Sequence, residues 1–383
     1  MAKSNLDNAK TGKKDEFYTQ YPDIESEMNE FYEYDKNVFR NKTILLPCDD
    51  PEWSNFTKYF VANFNRFGLK KLISTSYASA SKASKYESSV EEYHQVTLFK
   101  LNNEKYDESK TDTHGKIFTL TRKDNVSQVN IDNLDWDYLE GDGDFRSEEV
   151  TALLEEADIV VTNPPFSLFK EFVPWLINHN KQFIIIGNQN AITYKEVFPY
   201  LKDNKLWLGK CFSGNVGFFQ SPYEDKAVAS EHKDGLIRVS GVMWFTNIDY
   251  AQRHEVYPLM TQDDNIKFNK KLQNKCNSDY NGIFYPKYDN YDAIEVPVSD
   301  AIPSDYIGVM GVPITFLTKY DPEQFKIIGA TESEGAGFSN GLWDSGSNVA
   351  QALIGGNKVY KRIFIKYTDE WIQQHSEVFK KGI

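Results

Sequence analysis

The run of this chain best equipped for chemistry is Asn163-Pro164-Pro165-Phe166. The Asn163 side-chain carbonyl and the Pro164 backbone carbonyl are acceptors on adjacent residues, and both can point at one exocyclic amino group. An aromatic amine is a poor nucleophile, because its lone pair is delocalised into the ring. Two acceptors on its hydrogens favour a tetrahedral nitrogen and stabilise the positive charge that develops during methyl transfer. Phe166 adds a ring that can stack on the base carrying that amine.

Such chemistry needs a fixed edge, and the flanking residues provide one. Ile159-Val160-Val161 is a short β-branched run, the composition of a buried parallel strand. The two prolines lack an N–H and end the ladder. Phe166 then stands at a loop tip, and residues 167–180 read as a helix with Leu168, Phe172, Trp175 and Leu176 on one face. The four residues thus fall at the C-terminal edge of a strand in an α/β sheet, where such sheets bind ligands. The competing reading is a plain strand-turn-helix corner. In this setting Asn-Pro-Pro-Phe resembles the catalytic motif of amino-group DNA methyltransferases that use S-adenosylmethionine.

Residues 42–48 read as the first core strand and 71–75 as a second, with a helix to about Phe67 between them. That arrangement is the cofactor corner of a doubly wound sheet, yet the usual Gly-rich turn is absent. Cys48-Asp49-Asp50-Pro51 stands there instead, with carboxylates suited to an amino group or a ribose hydroxyl. An Asp-Pro turn opening an acidic helix is the alternative. This run, followed by Ser54-Asn55-Phe56, resembles the EcoRI-type adenine-specific DNA methyltransferase family, which has the same Gly-poor turn.

The resemblance extends over most of the chain. Phe17-Tyr18-Thr19, ahead of a helix over 23–36, is similar to the motif preceding the first strand in one circular order of these enzymes. It implies that Thr19 bonds the methionine end of the cofactor and that Phe17 or Tyr18 lies beside the sulfonium. A staple packing the N-terminus on the domain is the other reading. Gly141-Asp142-Gly143-Asp144-Phe145 resembles the acidic turn whose Asp contacts the cofactor adenine, with Phe145 against that ring. A turn that merely caps the helix from Ser147 is the alternative. Segments 305–317 and 325–329 also resemble the family.

Composition bounds the rest. The chain has 383 residues and 40% hydrophobic content, enough for a sizeable core, with 23 Tyr and 26 Phe to fill it or stack on bases. Cys48, Cys211 and Cys276 are too few and too scattered for a disulfide framework or a zinc module, and fit a reducing, cytoplasmic setting. No apolar run approaches transmembrane length. No histidines pair at metal spacing, so no metal is expected. A net charge of −13 argues against a general nucleic-acid coat protein but permits a local basic cleft. The richest basic stretch is residues 358–367. Read as one strand, it puts Lys358, Tyr360, Arg362, Phe364 and Lys366 on one face. These basic residues are candidate phosphate contacts, and the Gly-rich run 335–356 before them is a candidate mobile loop. An edge strand whose lysines deter aggregation is the competing reading.

The expected architecture follows. Residues 1–14 form a flexible arm, and 15–249 a doubly wound, mainly parallel α/β domain of the class I methyltransferase kind. That sheet carries one antiparallel edge strand, supplied by residues 239–248, and an inserted hairpin lies within about 78–137. Residues 212–232 read as a loop, and 250–383 as a target-recognition region. The resemblance implies methyl transfer from S-adenosylmethionine to adenine N6 in double-stranded DNA by a monomer, in restriction–modification or anti-restriction. A methyltransferase acting on protein glutamine or RNA, or a non-catalytic decoy, is the alternative.

Overall fold

The computed structural model describes residues 18–78, 106–123, 134–210, 212, 216–220, 232–233, 236–331 and 351–379. The expected arm, Phe17, much of the expected insertion over 78–137 and most of the run 335–356 lie outside the described residues. The chain forms two compact units, Met1–Gln189 with Leu208–Ile248, and Asn190–Trp207 with Asp249–Ile383.

The first unit opens with β1 (Tyr18–Thr19), α1 (Tyr21–Tyr34), β2 (Thr43–Leu46), α2 (Asn55–Ala62) and β3 (Lys71–Thr75). There follow β4 (Lys116–Thr121), β5 (Asp137–Tyr138), α3 (Glu148–Glu156), β6 (Ile159–Thr162), α4 (Phe169–Asn178) and β7 (Gln182–Asn188). β8 (Trp207–Leu208) straddles the unit boundary, and β9 (Val216–Gln220), β10 (His232–Lys233), β11 (Leu236–Ser240) and β12 (Val242–Thr246) complete the unit. Every residue of β2 and of β6 is buried. Unbroken apolar strands of that kind belong inside a parallel sheet covered on both faces. Ser54 caps α2 by accepting from Phe56 N at 3.1 Å, and Ser147 caps α3 by accepting from Val150 N at 3.2 Å.

These strands build an eight-stranded sheet in the order β5-β4-β3-β2-β6-β7-β12-β8. β2 pairs in parallel with β3 and β6, and β6 with β7. β4 pairs antiparallel to β3, β5 to β4, and β12 to β7. The parallel centre is therefore flanked by antiparallel pairing on both sides, which corrects the expectation of a single antiparallel edge. Residues 116–121, read above as part of an inserted hairpin, are a strand of this main sheet.

The expected strand 239–248 is in fact two strands. Gly241, at φ +72°, turns the chain between them. β11 pairs with β9, whereas β12 pairs with β7. β1, β9, β11 and β10 form a second sheet, so part of the expected loop 212–232 is strand. Among the described residues no helix is long and apolar enough to cross a membrane.

The second unit is built on a four-stranded sheet. Its strands are β13 (Ile294–Glu295), β14 (Met310–Pro313), β15 (Phe325–Ala330) and β18 (Arg362–Tyr367), in the order β13-β14-β18-β15. β16 (Leu353–Ile354) and β17 (Asn357–Lys358) make a separate hairpin. The stretch 358–367 is thus not one strand, and of its expected face Lys358 and Tyr360 are exposed while Arg362 and Phe364 are inside. Phe364 is fully buried, and the Arg362 side chain is 8% exposed. Arg362 Nε lies 3.1 and 3.0 Å from the two carboxylate oxygens of Glu295, and Nη2 lies 2.6 Å from Oε1. Tyr280 and Tyr288 donate their hydroxyls to the same carboxylate, and Arg362 Nη1 donates to Tyr360 O at 2.9 Å. Arg362 is therefore withdrawn as a phosphate contact. A two-residue hairpin followed by a break shifts the alternation, and a buried acid claims the guanidinium.

Removing one partner of a buried, hydrogen-bonded ion pair strands the other charge. Arg362→Ala should cost ~3–5 kcal/mol of folding stability, measured by urea unfolding. An unfolding midpoint equal to that of the parent would contradict this structural role.

Candidate active site

Because β2, β3 and β6 run in parallel, their C-terminal ends share one edge of the sheet. That edge carries Cys48, Asp49 and Asp50 after β2, Ser76 and Tyr77 after β3, and Asn163 after β6. The connections among them are specific. Asp49 is 4% exposed. Its Oδ1 accepts from Ser54 Oγ at 2.7 Å and its Oδ2 from Thr162 Oγ1 at 2.5 Å. Its backbone carbonyl accepts from Ser74 Oγ at 2.6 Å. One carboxylate thus joins the start of α2 to the last residue before Asn163.

The residues next to Ser54 and Thr162 meet a second time, at Thr19. Asn55 Nδ2 donates to the Thr19 carbonyl at 2.8 Å, and Asn163 Nδ2 donates to Thr19 Oγ1 at 3.4 Å. A short ring of contacts therefore runs Asp49, Ser54-Asn55, Thr19, Asn163-Thr162 and back to Asp49. Asn163 is half-buried, and Pro164, whose carbonyl is the second expected acceptor, is buried with Pro165 half-exposed beside it.

Asp50 sits in a separate electrostatic cluster. Its Oδ1 accepts from Glu52 N at 2.9 Å, and Lys116 Nζ lies 3.4 Å from its Oδ2. Lys116 also pairs with Glu52 and stands 4.6 Å from the centre of the Trp136 ring. Burial works against the Lys116 charge, but the carboxylates of Asp50 and Glu52 outweigh it and raise the pKa above the ordinary lysine value.

The acidic turn packs against the end of β3. Gly115 N donates to Gly141 O at 2.9 Å, and Ala78 N to Asp142 O at 2.6 Å. A Cβ on Gly143 would lie 2.1 Å from Ser76 O, so only glycine permits that approach. Arg146 Nη2 lies 2.6 Å from Asp144 Oδ2, and this hydrogen bond holds the Asp144 carboxyl below its usual range. Phe145 is buried edge-on against Phe172 at 4.9 Å and Trp175 at 5.2 Å. Tyr77, 45% exposed, faces this turn, and burial together with Asp142 and Asp144 pushes its phenol up.

The structure brings Thr19, Asp49 and Asn163 together, with Tyr18 beside Thr19 in β1. Cys48 and Asp50 lie at the same sheet edge, and Asp144 and Phe145 lie on the turn behind it. Two readings are corrected. Asp49 is turned inward, because both its oxygens accept hydroxyl donors. Phe166 is not at a loop tip: it opens a 3-10 turn over Phe166–Leu168, closed by Leu168 N to Pro165 O at 3.0 Å, and is 4% exposed. A large apolar ring gains by that burial. Ser54 and Asn55 enter the sequence reading only through the family resemblance, with no site role, and Thr162, Tyr77 and Lys116 do not enter it. Ser54 carried a signal, as a cap residue following an Asp-Pro turn. Lys116 carried none, since its partners Asp50 and Glu52 are remote in the chain.

Burial raises the Asp49 carboxyl from 3.8 to about 7. The folded state then holds that proton more tightly than the unfolded chain. Its stabilising contribution is complete below 3.8 and lost as pH rises through about 7. Asp49→Asn has no such proton, so the parent should lose stability relative to the variant at up to ~1.4 kcal/mol per pH unit across that window. Urea unfolding of both proteins at mildly acidic and mildly alkaline pH measures it. Stability curves that stay parallel would contradict the inward, protonatable Asp49.

Comparison with known proteins places the chain as a whole. The profile of the family described as adenine-specific methyltransferase EcoRI matches residues 5–368. The chain is 41% identical over 366 residues to Type II methyltransferase M.EcoRI of Escherichia coli, covering 94% of this chain and 95% of that protein. It is 36% identical over 330 residues to Type II methyltransferase M.MgeORF184P of Mycoplasma genitalium, covering 85% of each chain. It is 33% identical over 331 residues to Type II methyltransferase M.MpnI of Mycoplasma pneumoniae, covering 84% of each. No solved structure matches it. A profile that spans almost the whole length, with relatives aligned nearly end to end, carries one conclusion: the chain belongs to the EcoRI-type adenine-specific methyltransferase family.

Proposed function

We propose that this chain transfers a methyl group from S-adenosylmethionine to the N6 amino group of adenine in double-stranded DNA. Family membership makes it an adenine-specific DNA methyltransferase, and the relatives' Type II names support a role in restriction–modification. Those names do not favour a protein or RNA substrate, or a decoy. The observation that carries the chemistry is Asn163-Pro164 at the C-terminal end of β6, with the Asn163 amide donating toward Thr19. The amide carbonyl and the Pro164 carbonyl are the two acceptors for the N6 hydrogens. They oppose the delocalisation of the nitrogen lone pair and stabilise the charge that appears as the bond forms. The proton lost from N6 afterwards passes to water, since neither carbonyl is basic enough to keep it.

The sheet edge fits a cationic, ribose-bearing cofactor. Carboxylates, a half-buried thiol and an exposed Tyr77 ring surround it, suited to an ammonium group, ribose hydroxyls and an adenine face. Cys48 and Asp50 would hold the ribose or amino end, Tyr18 the methionine end, and Asp144, Phe145 and Tyr77 the adenine. When bound, S-adenosylmethionine supplies a methyl carbon already activated by its sulfonium. Phe166 stacks on the flipped base once its ring is uncovered, and flipping costs a few kcal/mol that protein contacts must offset. In the second unit Lys358 and Lys366 remain phosphate candidates. Lys366 lies directly opposite Lys326 across β18 and β15, a like-charge pair that an anion would relieve.

Asn163→Ala should reduce methyl incorporation into DNA by at least ~100-fold while S-adenosylmethionine still binds by calorimetry. Full activity in that variant would remove Asn163 from the mechanism.

A further inference from the structure

An amide side chain is nearly symmetric in shape and opposite in chemistry at its two ends. Turned one way, Asn163 offers an acceptor to the target amine. Turned the other way, it offers N–H groups that meet the amine hydrogens head-on. Asn163 can be catalytic only if something selects the first orientation.

Thr19 is well suited to do so. It is 2% exposed and sits in β1, in register with Phe219 of β9. Its carbonyl is held by Asn55 Nδ2 at 2.8 Å, and α1 begins two residues later. The hydroxyl it presents to Asn163 is therefore fixed by strand pairing, a side-chain bond and packing. The backbone beside Asn163 is fixed from the other side, through Thr162 and Asp49. The family resemblance implies that Thr19 touches the cofactor; its side-chain partner in the structure is the Asn163 amide.

We infer that Thr19 is a positioning residue that accepts from Asn163 Nδ2 and so turns the Asn163 carbonyl toward the target amino group. This rests on the role proposed for Asn163. Asp49 closes the same ring, so Thr19 and Asp49 together fix side chain and backbone of one residue.

Thr19→Val keeps the shape and β-branching, and keeps the carbonyl for Asn55, but removes the hydroxyl acceptor. Thr19→Ser restores the acceptor. The assay is methyl transfer from labelled S-adenosylmethionine to unmethylated bacterial genomic DNA, with calorimetric cofactor binding measured in parallel. Thr19→Val should lower kcat about tenfold or more while the cofactor Kd stays within about twofold, and Thr19→Ser should recover most of kcat. An unchanged kcat in Thr19→Val overturns the inference. So does a weakened cofactor Kd with kcat intact at saturation, which would make Thr19 a cofactor contact. Equal damage in Thr19→Ser and Thr19→Val would reduce it to packing. Asn163→Ala keeps the two levels apart. If that variant is dead while Thr19→Val is normal, only the positioning role fails; if Asn163→Ala is active, the underlying mechanism fails.

Discussion

Two strand ends and the start of a helix meet at the buried carboxylate of Asp49. It accepts from the Ser54 hydroxyl that caps α2 and from the Thr162 hydroxyl that ends β6. Those contacts set where Asn163 leaves the sheet. Without them the loop that carries Asn163 would still follow a strand, but its register against the turn at Cys48–Asp50 would rest on backbone pairing alone. The absence of a Gly-rich turn makes sense here. A glycine turn brings backbone close to a ligand, whereas this turn carries a side chain inward to hold the neighbouring strand.

The parallel centre of the sheet could be read from sequence because burial on both faces leaves an unmistakable mark. Thr43-Ile44-Leu45-Leu46 and Gln182-Phe183-Ile184-Ile185-Ile186 are apolar without alternation. The strand-to-turn break at Asn163–Pro165 was legible for a related reason: two prolines after a buried strand leave few local structures open. The flanks were harder to read. Nothing in residues 116–121 says that they join β3 rather than a separate hairpin, since pairing partners are a tertiary property. The break at Gly241 was hidden inside an apolar run, and its meaning depends on two sheets that local sequence cannot see. Asp49 and Asp50 are chemically identical neighbours, and only the placement of Thr162 and Lys116 separates their roles.

The second unit teaches a similar lesson about charge. An acidic chain at −13 invites a search for basic residues that meet phosphate. Arg362 answered the search by type and spacing, yet Glu295 holds it inside with Tyr280 and Tyr288. Gly311 makes room for that cluster, since a Cβ there would lie 2.1 Å from the Tyr288 hydroxyl. A buried pair of this kind is costly to break and gives little to surface electrostatics. The charge we propose this unit offers to DNA therefore lies with lysines such as Lys366 and Lys326, whose cross-strand apposition is an unfavourable arrangement in the absence of an anion.

The central claim is that the carbonyls of Asn163 and Pro164 together accept the hydrogens of the target amine. A structure of the chain with duplex DNA and a non-reactive analogue of S-adenosylmethionine tests it directly. We predict a flipped adenine whose N6 lies within about 3.2 Å of both Asn163 Oδ1 and Pro164 O. An N6 bound elsewhere, or facing Asn163 Nδ2, would contradict it.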